Sequence, residues 1–378
     1  MHSLEIDDRD SLAIDEVFPY DLLDESGTVM LRAGRRFTLE VQDLLVIRGC
    51  RRLYFRPDVL SQSQCRPYDQ ACAQVASNLL RESPKLVAEY TEAIHSAKPV
   101  DPQLLDPMVA NTLDVITKDA APLVAELMQL AMGADIAPAV RSVCLSSLSM
   151  VVAEYLGTSA FECRSLGKAG LLHDISLPDG IPNFDRSAPD FERQMASYCA
   201  HPSRSIDLLR RRLVSLTDLE VVLMGQVHEQ CDGSGFPNAL RKRHLHPLSC
   251  VLNAVDAFLT LTVATDSRAR FVPADALAYL AYHAVDGCFD LRTIQALISV
   301  SAVYPIGTQV QLSDKSLAVV LRSTGRDYCK PVIRRMDPAN EIVDLRDAAV
   351  EIEGPTTVSA MKRLPKRRLA EKLWVPFA

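Results

Sequence analysis

His228-Glu229-Gln230-Cys231-Asp232-Gly233-Ser234-Gly235-Phe236-Pro237 is the stretch that decides how this chain is read. A histidine and a glutamate run into a loop of two glycines and a proline, where backbone can approach a ligand closely. Working outward, His201-Pro202 precedes it, and Leu171-Leu172-His173-Asp174-Ile175 closes an apolar helix that starts near Ala160. After it, Asp256 sits inside the apolar run Val251–Ala257, where a carboxylate is costly unless paired or metal-bound. Each feature has a plain alternative: a capping aspartate beside a core histidine, a histidine bonded to backbone at a helix end, a histidine at a helix start before proline. In this order they are less easily dismissed together. His173, Asp174, His201, His228 and Asp256 form an imidazole and carboxylate set that suits iron, manganese or zinc. Two such metals a few ångströms apart would activate a water for attack on phosphorus.

The rest of the chain frames this segment. It has 378 residues, 41 Lys+Arg against 48 Asp+Glu, and a net charge of −7. That excludes a basic nucleic-acid coat, so DNA is not an expected partner. Apolar runs are interrupted by Glu126, Asp256 or Asp286, so no transmembrane segment is expected. Met1–Asp10 is acidic and lacks a signal-peptide pattern, which points to a cytoplasmic protein. The ten cysteines contain no Cys-x-x-Cys and read as reduced thiols filling the core.

Organisation follows from pattern changes. Residues 1–66 read as a small β-rich N-terminal domain and linker, with strands in Val17–Leu23, Thr28–Leu31 and Arg52–Phe55 and a short helix ending near Gly49. Residues 67–135 read as a helical connecting region broken at Pro84, Pro99, Pro102, Pro107 and Pro122. Residues 136–302 form a helical domain: Leu145, Leu148, Val152 and Leu156 make a helical stripe that Pro138 opens and Gly157 closes. Residues 303–348 read as a C-terminal β extension and 349–378 as a basic tail containing Lys362–Arg368. The expected fold is mainly α, a helical bundle of HD type between two small β modules.

The order and spacing resemble the HD-GYP family, bacterial phosphodiesterases of cyclic di-GMP within the HD superfamily. The likeness rests on Leu171–Ile175, His201-Pro202, His228-Glu229, Asp232–Pro237 and Val255–Thr262. It implies metal ligands at His173, Asp174, His201, His228 and Asp256, with His173 and Asp174 catalytic and Asp174 bridging. It implies that the loop Asp232, Gly233, Ser234, Gly235, Phe236, Pro237 shapes the substrate mouth.

Departures from the family pattern are concentrated at the metals. Counting back from Leu156-Gly157, an upstream ligand histidine falls on Arg141, and the first of a His-His pair is Val227. A Gly-Lys after His-Asp is Ser176-Leu177, and the family tyrosine is Phe236. The tyrosine hydroxyl is worth about 1 kcal/mol. The lysine is worth on the order of a few kcal/mol of transition-state stabilisation. Arg141 puts a permanent cation where a metal would sit, and it is expected to pair with Asp174 and Asp256; the alternative is a surface arginine on a misaligned helix.

Three readings follow. The first is a catalytically degenerate HD-GYP protein holding one divalent metal (Fe, Mn or Zn) or none. It would bind cyclic di-GMP and, as the resemblance implies, dock diguanylate cyclase (GGDEF) domains, with a homodimer as one assembly. The second is an active phosphodiesterase yielding linear pGpG or GMP, with Glu229 or Asp232 as substitute ligands. The third is a helical scaffold whose pocket is a structural salt-bridge cluster. His244 and His246, on the basic stretch Arg241–His246, are read as a solvated loop that could touch a phosphodiester.

Overall fold

The computed structural model describes residues 2–5, 22–23, 29–31, 52–55, 70–101, 103–131, 137–180, 184, 187–263, 271–301, 304, 307–322 and 330–356. The chain divides into two compact units, Met1–Tyr68 and Asp69–Ala378. In the first, β1 (His2–Glu5), β2 (Leu22–Leu23), β3 (Val29–Leu31) and β4 (Arg52–Phe55) form an antiparallel sheet of order β1-β4-β2-β3. β1 lies in the acidic start of the chain, where the sequence suggests no strand; it is fixed by pairing with β4, His2 opposite Phe55. The short helix expected before Gly49, the linker before Asp69 and the Lys362–Arg368 cluster lie outside the described residues.

The second unit is mainly helical. Its described elements are α1 (Gln70–His95), α2 (Asp106–Ala131), α3 (Pro138–Tyr155), α4 (Ala160–Leu172), α5 (Phe191–Cys199), α6 (His201–Arg211), α7 (Asp218–Gln226), α8 (Pro247–Thr262), α9 (Pro273–Val285) and α10 (Leu291–Ser301). α3 is central and packs on α1, α2, α4, α8 and α10. Pro138 occupies its first turn, where an amide hydrogen has no partner to lose, and Gly157 ends it in the left-handed region at φ +81°. Leu145, Leu148 and Val152 are buried as their stripe suggests, but so is every residue from Ser142 to Ala153. Serines at 142, 146, 147 and 149 hide this in the sequence, because they read as a polar face.

Close approach of α3 and α4 depends on Gly170: a Cβ there would lie 3.0 Å from the Ser146 Cα. α4 is started by a capping box, with Ser159 and Glu162 exchanging side-chain and backbone bonds. Thr217 and Glu220 do the same for α7. Among the described residues, the buried core of the helical bundle extends from α1 and α2 into the rest of the bundle, each fully buried leucine adding about 1.5–3 kcal/mol.

Two proline expectations are corrected. Pro84 lies inside the uninterrupted α1, where packing of Ala76, Leu80, Val87, Tyr90 and Ile94 outweighs the lost hydrogen bond. Pro122 does not end α2 but follows a kink at Asp119, whose backbone is extended. The freed Asp119 carboxylate accepts from the Ala121 amide and from Arg322 at 3.3 Å, tying the C-terminal sheet to the bundle.

That sheet contains β5 (Gln309–Leu312), β6 (Leu317–Arg322), β7 (Val332–Arg335), β8 (Ile342–Asp344) and β9 (Ile352–Pro355) in the order β8-β7-β6-β5-β9. Val310, Leu312, Ala318, Val320, Ile333 and Leu345 close its core. β9 falls in the stretch 349–378 read as tail; it is recruited by antiparallel pairing with β5 rather than by its own apolar pattern, which is too short to signal a strand. No described helix is long and apolar enough to cross a membrane.

Candidate metal centre

The residues the sequence singles out converge at one end of the bundle. His173 caps α4, Asp174 follows it, His201 opens α6, His228 follows α7, and Asp256 lies mid-way along α8. His173 and His201 are fully buried, and Asp174 and Asp256 keep 12% and 11% of their side-chain surface. His173 Nε2 lies 3.0 Å from Asp174 Oδ2, and His201 Nε2 lies 2.9 Å from Asp174 Oδ1. His228 Nε2 is 3.0 Å from His201 Nε2, and its Nδ1 is 3.4 Å from Asp256 Oδ2.

Backbone carbonyls set the ring orientations. His173 Nδ1 donates to Gly170 O at 2.9 Å and His201 Nδ1 donates to Tyr198 O at 2.7 Å. With Nδ1 carrying the proton, the Nε2 lone pairs of the neutral rings point at Asp174. His173 Nε2 and Asp174 Oδ1 are buried with no hydrogen-bond partner. Lone pairs of a neutral imidazole facing a carboxylate call for a cation between them, and His173, Asp174 and His228 offer ligand atoms within 4.8 Å of one another. This half of the site fits a divalent metal.

The other half holds a cation of its own. The Arg141 guanidinium reaches from α3, with only 11% of its side chain exposed, and pairs through Nη2 with Asp256 Oδ1. The same nitrogen donates to Thr260 Oγ1 at 2.9 Å. The expected pairing with Asp256 is therefore present and the surface-arginine alternative is not. Asp174 is not the direct partner that the sequence suggests; its charge acts on Arg141 through space, because its oxygens are turned to the imidazoles.

The charges respond to this arrangement. Burial pushes the Asp256 carboxyl up, but Arg141 and then His228 bring it down to about 2. Burial likewise opposes Asp174 ionisation, yet the three neighbouring imidazoles, His173 foremost, hold it well below the usual range. Burial pushes His228 down, and the two aspartates more than reverse this, raising it to about 9. His201 goes the other way, pushed down by burial and by the neighbouring His228.

The substituted positions are occupied by packing. Val227 is fully buried and its carbonyl accepts from Asn253 Nδ2 at 3.1 Å. Ser176 Oγ donates to His201 O and accepts from Ser205 Oγ. Leu177 lines a cavity of about 400 Å³ that opens beside Arg141 and Asp174, walled by Thr91 and His95 of α1 and by Pro138. Glu229 and Asp232, named as substitute ligands, are committed elsewhere. Glu229 accepts from the Asn238 and Leu240 amides at 2.6 and 2.8 Å, and Asp232 accepts from Ser234 and from the Cys288 thiol. They organise the glycine loop instead of the metal half.

In that loop Gly235 has no room for a side chain: a Cβ would lie 2.3 Å from Gln230 N. Phe236 stacks on His228 with centroids 4.8 Å apart. His246 caps α8 through Nδ1, and Lys242 pairs with Asp290, so the basic stretch is partly committed to structure. The sequence reading misses Tyr198, Thr260 and Gly170. Tyr198 packs its ring 4.8 Å from His201 and orients it through its carbonyl. Its only sequence signal is its place three residues before a histidine.

The chain is similar to several known proteins. The family model for the HD domain matches residues 103–292, half of the chain. The chain is 28% identical over 216 residues to the cyclic di-GMP phosphodiesterase PA4108 of Pseudomonas aeruginosa, covering 56% of this chain and 51% of that protein. It is 29% identical over 157 residues to the cyclic di-GMP phosphodiesterase response regulator RpfG of Xanthomonas campestris, covering 41% of each. The chain thus spans about half the length of the curated relatives it matches. A solved structure of Bd1817, described as an HDG"Y"P protein from Bdellovibrio bacteriovorus, covers 78% of this chain and 97% of its own at 18% identity and a TM-score of 0.47. With the HD match across half of the chain and the Asp232–Pro237 signature, this chain belongs to the HD domain family, in its HD-GYP group.

Proposed function

We propose that this protein is a catalytically degenerate HD-GYP module of cyclic di-GMP signalling that binds the dinucleotide without turning it over efficiently. The observation that carries this reading is the Arg141 guanidinium seated on Asp256 and Thr260. A guanidinium and a dication repel, so the Asp256 half is closed to a second metal. His173, Asp174, His201 and His228 would hold one divalent cation, iron, manganese or zinc. When bound, that cation would polarise a phosphate oxygen.

The chain's own groups suit holding a phosphodiester better than cleaving it. Arg141 borders the cavity beside Asp174 and offers a fixed positive charge. Leu177 stands where a lysine would neutralise the phosphate. In an acidic chain any attraction for the ligand must be local, and Arg141 is part of it. On the resemblance alone, diguanylate cyclase domains are the protein partners of this reading.

The alternative, an active phosphodiesterase giving pGpG or GMP, is favoured by the unpartnered His173 Nε2 and Asp174 Oδ1. The two separate in one experiment. Purified protein, loaded with manganese or iron, is mixed with cyclic di-GMP, and binding and product are followed together. Micromolar binding that is lost in His173→Ala, with product formation at least 100-fold below an active HD-GYP enzyme, supports the proposal, the margin following from the missing charge stabilisation of roughly 3 kcal/mol. Turnover at the active enzyme's rate refutes it, and absence of binding supports the salt-bridge scaffold instead.

A further inference from the structure

The turn that follows His173-Asp174 is tied to two other helices. Ile175 O accepts from His95 Nε2, in the last turn of α1, at 2.7 Å. Ser176 Oγ donates to the His201 carbonyl at the start of α6, and the Ser176 amide donates to Ser205 Oγ further along it, both at 3.2 Å. At its far end α6 returns to α1: Arg212, its C-cap, donates through Nε to Ile94 O at 2.9 Å. The end of α1, the turn after Asp174 and α6 thus form a closed circuit. His95, Ser176, Ser205 and Arg212, whose side chains close it, are not among the ligand set.

The circuit matters because the turn borders a void. The cavity of about 400 Å³ is lined by Thr91 and His95 from α1 and by Asp174, Ile175 and Leu177 from the turn. Groups that face a void lack partner atoms on that side, so dispersion does little to fix them. Directional bonds across the gap take over that task. The last carbonyls of a helix have no partner within it. At the end of α1 the Lys98 amide takes Ala93 O and Arg212 takes Ile94 O. Arg212 therefore completes α1 and fixes its end against α6. The circuit spans the pair whose separation counts most, Asp174 Oδ1 and His201 Nε2, 2.9 Å apart.

We propose that His95 and Arg212 are positioning residues for the Asp174 half: by clamping the end of α1, they hold the turn that carries Asp174 at the distance from His201 that a divalent cation needs. The metal-binding consequence rests on the one-metal reading of that half. Both residues act through backbone carbonyls, Ile175 O and Ile94 O, rather than on the cation. Cutting either bond frees the turn to shift into the cavity and spreads the Asp174–His201 separation. Partners behind a ligand shell that set its geometry are worth about 10–100-fold in metal affinity. His95 is itself exposed, so its replacement leaves the buried core untouched.

The test compares the full chain with His95→Leu, His95→Gln and Arg212→Met in two measurements. The first is manganese affinity, by competition with a chelating dye. The dissociation constant is expected to rise about ten-fold in His95→Leu and Arg212→Met. In His95→Gln, whose amide can donate to the same carbonyl, it is expected to stay within about three-fold of wild type. The second is amide hydrogen exchange of chelator-treated protein, which needs no metal. Exchange is expected to quicken in His95→Leu and Arg212→Met at the Ile175 and Leu177 amides and at Arg204 of α6 together, and to stay at the wild-type rate in His95→Gln. Exchange unchanged at the turn, or quickened only at the end of α1, overturns the proposal. So does wild-type manganese affinity in His95→Leu, or His95→Gln as weak as His95→Leu. Failure of wild type to take up manganese sinks the one-metal reading alone, and the exchange pattern then decides the clamp.

Discussion

The two halves of the site use the same kind of carboxylate for opposite ends. Around Asp174, three imidazoles approach within 2.9–3.9 Å, and His173 Nε2 and Asp174 Oδ1 remain without hydrogen bonds. Around Asp256, a guanidinium and a histidine already take the oxygens. One half is built to be completed by a cation; the other carries its cation in the chain. What separates them is one position on α3, residue 141, whose long side chain spans the distance to α8 that a histidine would share with a metal. The lesson is that a metal shell can be closed by a single substitution while its carboxylate stays in place.

The comparison can be broken most severely at Asp174. Asp174→Ala removes the carboxylate shared by all three imidazoles. It is expected to abolish metal uptake and to cost about 3–5 kcal/mol, as removal of one partner of a buried charge cluster does. Elemental analysis and denaturant melts check both. Asp256→Ala attacks the other half. It strands the buried guanidinium, with an expected loss of about 3 kcal/mol, yet leaves the metal bound at the Asp174 half unchanged. Combining it with Arg141→Met should recover most of that loss, since the uncompensated charge goes too. Loss of metal in Asp256→Ala would show that the halves act as one.

Two further effects sharpen the contrast. Gly235→Ala forces a Cβ to within 2.3 Å of Gln230 N and 2.5 Å of His228 O. Its expected cost is about 1–3 kcal/mol, through displacement of the His228 backbone, with weakened metal retention as the visible consequence. A further effect is that of pH on chelator-treated protein. His228 is raised to about 9 when folded, above its unfolded value of about 6.5. Its contribution is therefore fully present below pH 6.5 and disappears as pH rises to 9. Asp256 is lowered to about 2, so the stability from its ionisation is present above about pH 4 and fades only as pH falls toward 2. Thermal midpoints should fall between pH 6.5 and 9 in wild type, and less so in His228→Ala.

Much of this was legible before any coordinates. His173, Asp174, His201, His228 and Asp256 stand out because polar groups at the ends or centres of apolar helices demand partners, and the fold draws them together. The limits of α4 followed from an apolar run ending in His-Asp. Other features depend on tertiary contacts that a linear pattern does not carry. Pro84 fails to break α1 because one face of that helix is buried on both sides of it. β1 and β9 exist because a neighbouring strand offers an open edge. Thr260 reads as an ordinary helix residue until Arg141 is seen to reach it. Glu229 looks like a spare ligand, and only its two bonds to loop amides reveal that it is engaged.

The central claim is that Arg141 occupies the place of one metal, and stoichiometry tests it most directly. Metal content per chain is measured after growth in iron or manganese, alongside cyclic di-GMP turnover, for wild type and for Arg141→His/Val227→His. The account predicts at most about one metal per wild-type chain with negligible turnover, and a second metal with restored hydrolysis in the double variant. Two metals and brisk turnover in the wild type would contradict it.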